Sequence, residues 1–159
     1  MDAETRLAEF LKANNLELPH PPKAIGLYKP ALTVGNLCFT SGHLPIKSDG
    51  SLYLGSVGKE VDQEAGFLAA RQCGLAMLVS LKTHLGSLNR IQRVVKLLGM
   101  VNCAEGYTQQ PAVVNGCSEL MAKVFGEDCG IGARSAIGVN ALPLNVSVEV
   151  EGIFLLNEG

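Results

Sequence analysis

The 159-residue chain has no tryptophan, three tyrosines and five phenylalanines. Its core must therefore be aliphatic, built from valine, leucine, isoleucine and alanine, and the length suits one domain. Lysine and arginine total 13 against 15 acids, for a net charge of −2, and no basic run occurs. Nucleic-acid binding works through an electropositive footprint, so nucleic acid is not an expected partner. His20, His43 and His84 have no metal-ligand spacing with one another or with the cysteines, and no metal is expected. No apolar run nears the ~20 residues that cross a bilayer, so no membrane partner is expected. The acidic N-terminal stretch lacks a signal peptide's pattern of a basic region followed by an apolar one. The cysteines are odd in number and include no C-x-x-C pair. Reduced thiols in a cytoplasmic setting are the expectation. Cys38, Cys73, Cys103 and Cys117 lie in apolar runs and read as small buried hydrophobes, with Cys129, in a glycine-rich loop, as the exposed one.

What is present concentrates in residues 132–153, GARSAIGVNALPLNVSVEVEGI. Arg134 enters a β-prone run, Asn140–Pro143 turns the chain, and an alternating strand follows. Val146, Val148 and Val150 point one way; Ser147, Glu149 and Glu151 point the other. If the Arg134 and Glu149 segments pair as neighbouring strands, a guanidinium and a carboxylate line one cleft, an anion-binding and acid/base pair. A structural ion pair or a solvated strand face is the plain alternative.

Upstream, residues 1–22 read as an amphipathic helix and a proline-rich lead-in, and residues 23–159 as one domain. Val34-Gly35-Asn36-Leu37 is a hairpin signal, Leu37–Thr40 a strand, and Ser41-Gly42 its end, where a backbone N–H can approach a ligand. Asp62–Leu85 reads as a helix covered on most sides and stopped by Gly86. Ile91–Cys103 reads as a strand buried on both faces, which a small domain achieves by oligomerising. Thr108–Phe125 reads as a helix with Thr108 as N-cap, and Gly126, Gly130 and Gly132 as the loop into the Arg134 strand. Asn115 falls opposite that helix's apolar stripe, facing a neighbouring chain. The sum is an α+β layer with helices on one face of a sheet.

Three blocks carry a family resemblance: Ala24–Tyr28 with Phe39–Pro45, then Val114-Asn115, then Ala133-Arg134-Ser135 with Leu142-Pro143 and Val148–Glu151. In this order they resemble the RidA/YjgF family, also termed L-PSP endoribonucleases, in its longer-chain branch. The resemblance implies a chorismate-mutase-like fold and a homotrimer, with sheets forming a central β-barrel and a cleft between chains. It implies a deaminase that hydrolyses 2-imino and 2-enamino acids to 2-keto acids and ammonia without a cofactor. Arg134 would clamp the carboxylate of the small-molecule substrate and Glu149 would activate water. Tyr28, Ser41, Gly42, Asn115 and Ala136 would complete the site. Two features depart from the family pattern: Ala136 stands where cysteine is frequent, and His43 where glutamine is common. The alternatives are a regulatory protein that binds small carboxylates without turnover, and an endoribonuclease.

Overall fold

The computed structural model describes residues 1–158. The first helix, α1 (Ala3–Ala13), starts where the Asp2 side chain accepts the Thr5 N–H at 2.8 Å. It rests on the body through Leu7, which is part of the central core. The hairpin signal is a turn at Gly35 (φ 61°) joining β1 (Ala31–Val34) to β2 (Leu37–Thr40). Helix α2 (Gln63–Leu85) is capped by Asp62, which accepts the Ala65 N–H at 2.8 Å, and ends at left-handed Gly86. Its residues 72–81 are all buried, as the narrow polar stripe requires.

Strand β3 (Ile91–Asn102), helix α3 (Gln110–Phe125), strand β4 (Ala133–Val139) and strand β5 (Val148–Leu156) complete the fold, with a one-turn helix α4 (Glu127–Gly130) before β4. Two expectations change here. Gln109, not Thr108, is the N-cap of α3, and its side chain makes no capping bond; Pro111 at the helix start fixes the geometry instead. The presumed glycine loop is partly the helical turn α4, because Gly130 packs tightly on the Met121 and Ala122 backbone of α3.

The sheet order is β1-β2-β5-β3-β4, antiparallel except for the parallel pair β3/β4. Parallel neighbours need a crossover, and α3 supplies it. The Arg134 strand therefore pairs with β3, not with the Glu149 strand as expected; β3 separates them. Helices α2 and α3 cover one sheet face, where Val94, Leu97, Val101, Val148, Val150 and Phe154 are buried. Close approach is built in: a Cβ on Gly99 would stand 2.6 Å from a methyl of Val114 on α3.

The other face is open in the single chain. The register aligns Leu32 with Phe39, Phe39 with Ile153, and Met100 with both Glu149 and Ile137. Phe39 is 37% and Ile137 45% exposed. Within one chain β3 is thus buried on its helix side only, and the expectation of burial on both sides fails at that level. Of the cysteines, Cys38, Cys73 and Cys117 are buried as expected; Cys103 is half-buried because it follows the end of β3, and Cys129, expected to be exposed, is half-buried too, because it lies in the α4 turn and packs against the core. Among the described residues, no helix is long and apolar enough to cross a membrane.

Candidate active site

Arg134 lies on the helix face of the sheet. It is level with Leu97 of β3, and its side chain reaches across to α3. Nη1 donates to Asn115 Oδ1 at 2.7 Å and to Ser118 Oγ at 3.1 Å; Nη2 donates to the Pro111 carbonyl at 3.3 Å. Pro111, Asn115 and Ser118 recur every three or four residues, so one stripe of α3 grips the guanidinium. A guanidinium has five N–H donors. Three are spent, which leaves Nε–H and one N–H of Nη2 for a further acceptor. Among the described residues no carboxylate lies within ion-pair distance of Arg134. Asn115 is exposed, and its Oδ1 accepts from the chain's own Arg134. Ala136 shares the Arg134 face, level with Gly99 and packed against the core, on the sheet's edge strand.

Glu149 lies on the opposite, open face. It is level with Met100, while Arg134 is level with Leu97. Two strand spacings and three residues of rise each separate them by roughly 10 Å. The two cannot line one cleft within one chain. Glu149 is half-buried, and loss of hydration, followed by repulsion from Glu151, pushes its carboxyl above the usual range. Among the described residues of the chain, no cation offsets either effect. Its side chain lies over Gly42, where an added Cβ would sit 2.7 Å from the carboxyl carbon; only glycine leaves room for it.

Tyr28 and Ser41 belong to this second half. The Ser41 hydroxyl donates to the Lys29 carbonyl at 2.6 Å, and its N–H donates to the Pro30 carbonyl at 3.0 Å. Ser41 thus ties down the segment that carries Tyr28, and its proton is committed there. The Tyr28 hydroxyl accepts the Ile25 N–H at 3.2 Å, and its ring stands 46% exposed. A cavity of about 280 Å³ opens here, lined by Ile25, Tyr28, Gly42, Leu44, Leu52 and Leu144 among others. His43 explains why this corner is fixed. Its backbone pairs with Val150, its Nδ1 bonds the Ser41 carbonyl and its Nε2 bonds Ser80 Oγ of α2, both at 2.8 Å. Burial holds the imidazole below its ordinary pKa, so it is neutral. Nδ1–H donates to the carbonyl and Nε2 accepts from the serine.

Sequence reading missed Ser118 and Ser80. The i, i+3 spacing of Asn115 and Ser118 on the helix before the Arg134 strand was the available signal. Ser80 carried none, being one serine in an apolar helix.

Held arginine, glycine-backed carboxylate and helix-crossed β3/β4 pair define an α+β protein of the YjgF type. The chain belongs to the YjgF/chorismate mutase-like family, whose description carries a provisional endoribonuclease activity; the family profile matches residues 8–156. It is 36% identical over 155 residues to the protein TCP17 of Trypanosoma cruzi, covering 98% of this chain and 97% of that one. Among solved structures, it is similar to a protein of unknown function from Agrobacterium tumefaciens, at 36% identity and a TM-score of 0.89, covering 98% of this chain and 95% of that one. It is also similar to RidA from an Antarctic Psychrobacter, at 27% identity and a TM-score of 0.60, covering 89% and 98% of the two chains.

Proposed function

We propose that the chain hydrolyses 2-imino and 2-enamino acids to 2-keto acids and ammonia, in a cleft that two copies of the chain form together within a homotrimer. One observation carries this reading. Arg134 and Glu149 are both half-buried, neither has an ion-pair partner among the described residues of the chain, and they lie on opposite faces of the sheet. Within one chain, an ion pair therefore explains neither residue. Packing the open, largely apolar face against neighbours buries it and gives the Glu149 half of one subunit a route to the Arg134 half of the next.

In this reading the two unspent donors of Arg134 take the substrate carboxylate, the one permanent charge on an imino acid. Asn115, Ser118 and the Pro111 carbonyl fix the plane of the fork. Glu149 takes a proton from water as the water oxygen bonds to the imine carbon. The carbon attacked is that of the protonated imine, so a neutral carbinolamine forms. Glu149 passes its proton to the amine nitrogen and takes up the hydroxyl proton as the C–N bond breaks, ammonia leaves and the carbonyl forms. A carboxyl raised above its usual range serves both steps better than an ordinary one. The imine carbon is already electrophilic, so the residues need only orient the substrate and move protons.

The test is direct. An amino-acid oxidase generates the imino acid in situ, and keto-acid release is followed with and without the protein. Acceleration over the protein-free rate supports the reading. An unchanged rate together with pyruvate binding leaves a carboxylate-binding protein without turnover.

A further inference from the structure

We propose that Leu144 is a specificity residue, and that the cavity it lines takes the side chain of a 2-imino acid with a branched or straight apolar chain of about four carbons. The inference rests on the deaminase reading for the reaction, but on separate observations for the pocket.

The first observation is conformational. Leu144 (φ 56°, ψ 17°) and Asn145 (φ 59°) both occupy the left-handed region. Asparagine tolerates that region and leucine does not. The turn is held from several sides: the Gly55 N–H donates to the Asn145 carbonyl at 2.9 Å, and Asn102 Nδ2 donates to the Val146 carbonyl at 3.2 Å. A turn alone would be served better by glycine or asparagine at position 144. Core packing does not explain leucine there, because its side chain is 61% exposed.

The second observation is where that side chain goes. It lines the cavity of about 280 Å³ together with Ile25, Tyr28, Leu44, Ile46 and Leu52. Gly42 lies in the same wall and backs onto Glu149, so the cavity adjoins the carboxyl assigned to proton transfer. Lys23 is the one formal charge on the lining. Such walls favour an apolar chain and leave a neutral polar one unpaired, and Lys23 is the one lining group an acidic chain could pair with. Strain is therefore kept at position 144 to place an apolar wall beside the reacting carbon.

Leu144→Asn separates wall from strain, since it suits the left-handed turn and removes the apolar surface. Imino acids made from leucine, alanine and glutamate are supplied, and kcat/KM is compared. The parent should favour the leucine-derived imine by about tenfold or more over the other two, the scale of a few methylenes in an apolar pocket. Leu144→Asn should bring the leucine-derived value to within about twofold of the alanine-derived one. The alanine-derived value should fall by much less than the leucine-derived one. No preference in the parent, an unchanged preference in the variant, or an equal loss on every substrate with dissociation of the oligomer would each overturn the inference. Melting shifts with 4-methyl-2-oxopentanoate, pyruvate and 2-oxoglutarate are read in parallel. If no imine is hydrolysed but 4-methyl-2-oxopentanoate stabilises the parent and not the variant, the pocket stands and the deaminase reading falls. Turnover without preference has the opposite meaning. No turnover and no ranking of the keto acids rejects both.

Discussion

The helix-covered and open faces of the sheet treat their charged residues in opposite ways. Arg134, on the covered face, is gripped by three hydrogen bonds from one stripe of α3, with two donors left over. Glu149, on the open face, is backed by a glycine, loses hydration and faces the repulsion of Glu151. One group is preorganised at little cost; the other is held in a state it resists. The contrast teaches that neither is a complete site. A cation without an anion and a carboxylate without a cation are complementary deficits, and a second copy of the chain can cancel both.

The largest expected effect breaks the pair. Arg134→Ala should abolish deamination, and Arg134→Lys should lower kcat/KM by about a hundredfold, because lysine keeps the charge and loses the planar fork. Glu149→Gln should lower kcat by about a hundredfold and still bind pyruvate. Mixing then sharpens the result. Arg134→Ala and Glu149→Gln chains, unfolded together and reassembled, should recover activity. If the site is shared between subunits, about a quarter of the sites in a random mixture pair an intact arginine with an intact glutamate. If each chain carried a complete site, the mixture would stay as inactive as its components.

How far this pairing was legible follows from the kind of signal each part leaves. Period-two alternation on β5 and the caps Asp62 and Gly86 act within a few residues, so strand faces and helix ends could be read directly. Arg134 and Glu149 stood out from the local pattern and Gly42 from its strand end, whereas their roles, and Tyr28, came from a resemblance in three short blocks, which carries residue identity but not relative position. Strand order is set by the chain's crossover, not by local pattern. The strand–helix–strand run β3, α3, β4 held the clue, since such a run makes its strands parallel neighbours. Reading it that way would have placed β4 beside β3; that β5 takes the other side of β3, leaving β4 at the edge, has no local signal. The Thr108 cap failed for a related reason: Pro111 needs no capped N–H, so the helix starts after Gln109 without a side-chain cap. His43 shows the limit of composition. Nothing in the chain's pattern says that a buried histidine will bond Ser80, 37 residues away.

A smaller effect comes from charging the open face. Phe39 and Ile137 sit on it with exposed rings and methyls, whereas Val113 and Val114 on the covered side are fully buried. Ile137→Lys should leave the single chain folded and lower the sedimentation mass from trimer to monomer at micromolar concentration. Activity should fall with the fraction dissociated. A parent that already sediments as a monomer would remove the shared-site reading altogether.

The smallest effect tests whether the two charges meet. The folded pKa of Glu149 is raised by burial and by Glu151. A raised carboxyl contributes stability below its unfolded value, about 4.3, and loses it as pH rises through the folded value. At pH 7 the ionised group therefore opposes folding, and Glu149→Gln should raise the melting temperature by a degree or a few; the gain should vanish below about pH 4. If Arg134 of a neighbouring subunit stands close to Glu149, it relieves part of that opposition. The stabilisation by Glu149→Gln should then be larger in an Arg134→Ala background than in the parent, by about 0.5–1 kcal/mol, the scale of a partly screened pair. Melting curves of the four proteins from pH 4 to pH 8 give this coupling. A coupling of zero at pH 7 would mean that the arginine and the carboxylate stay on their own faces, each facing solvent alone, and that no cleft joins them.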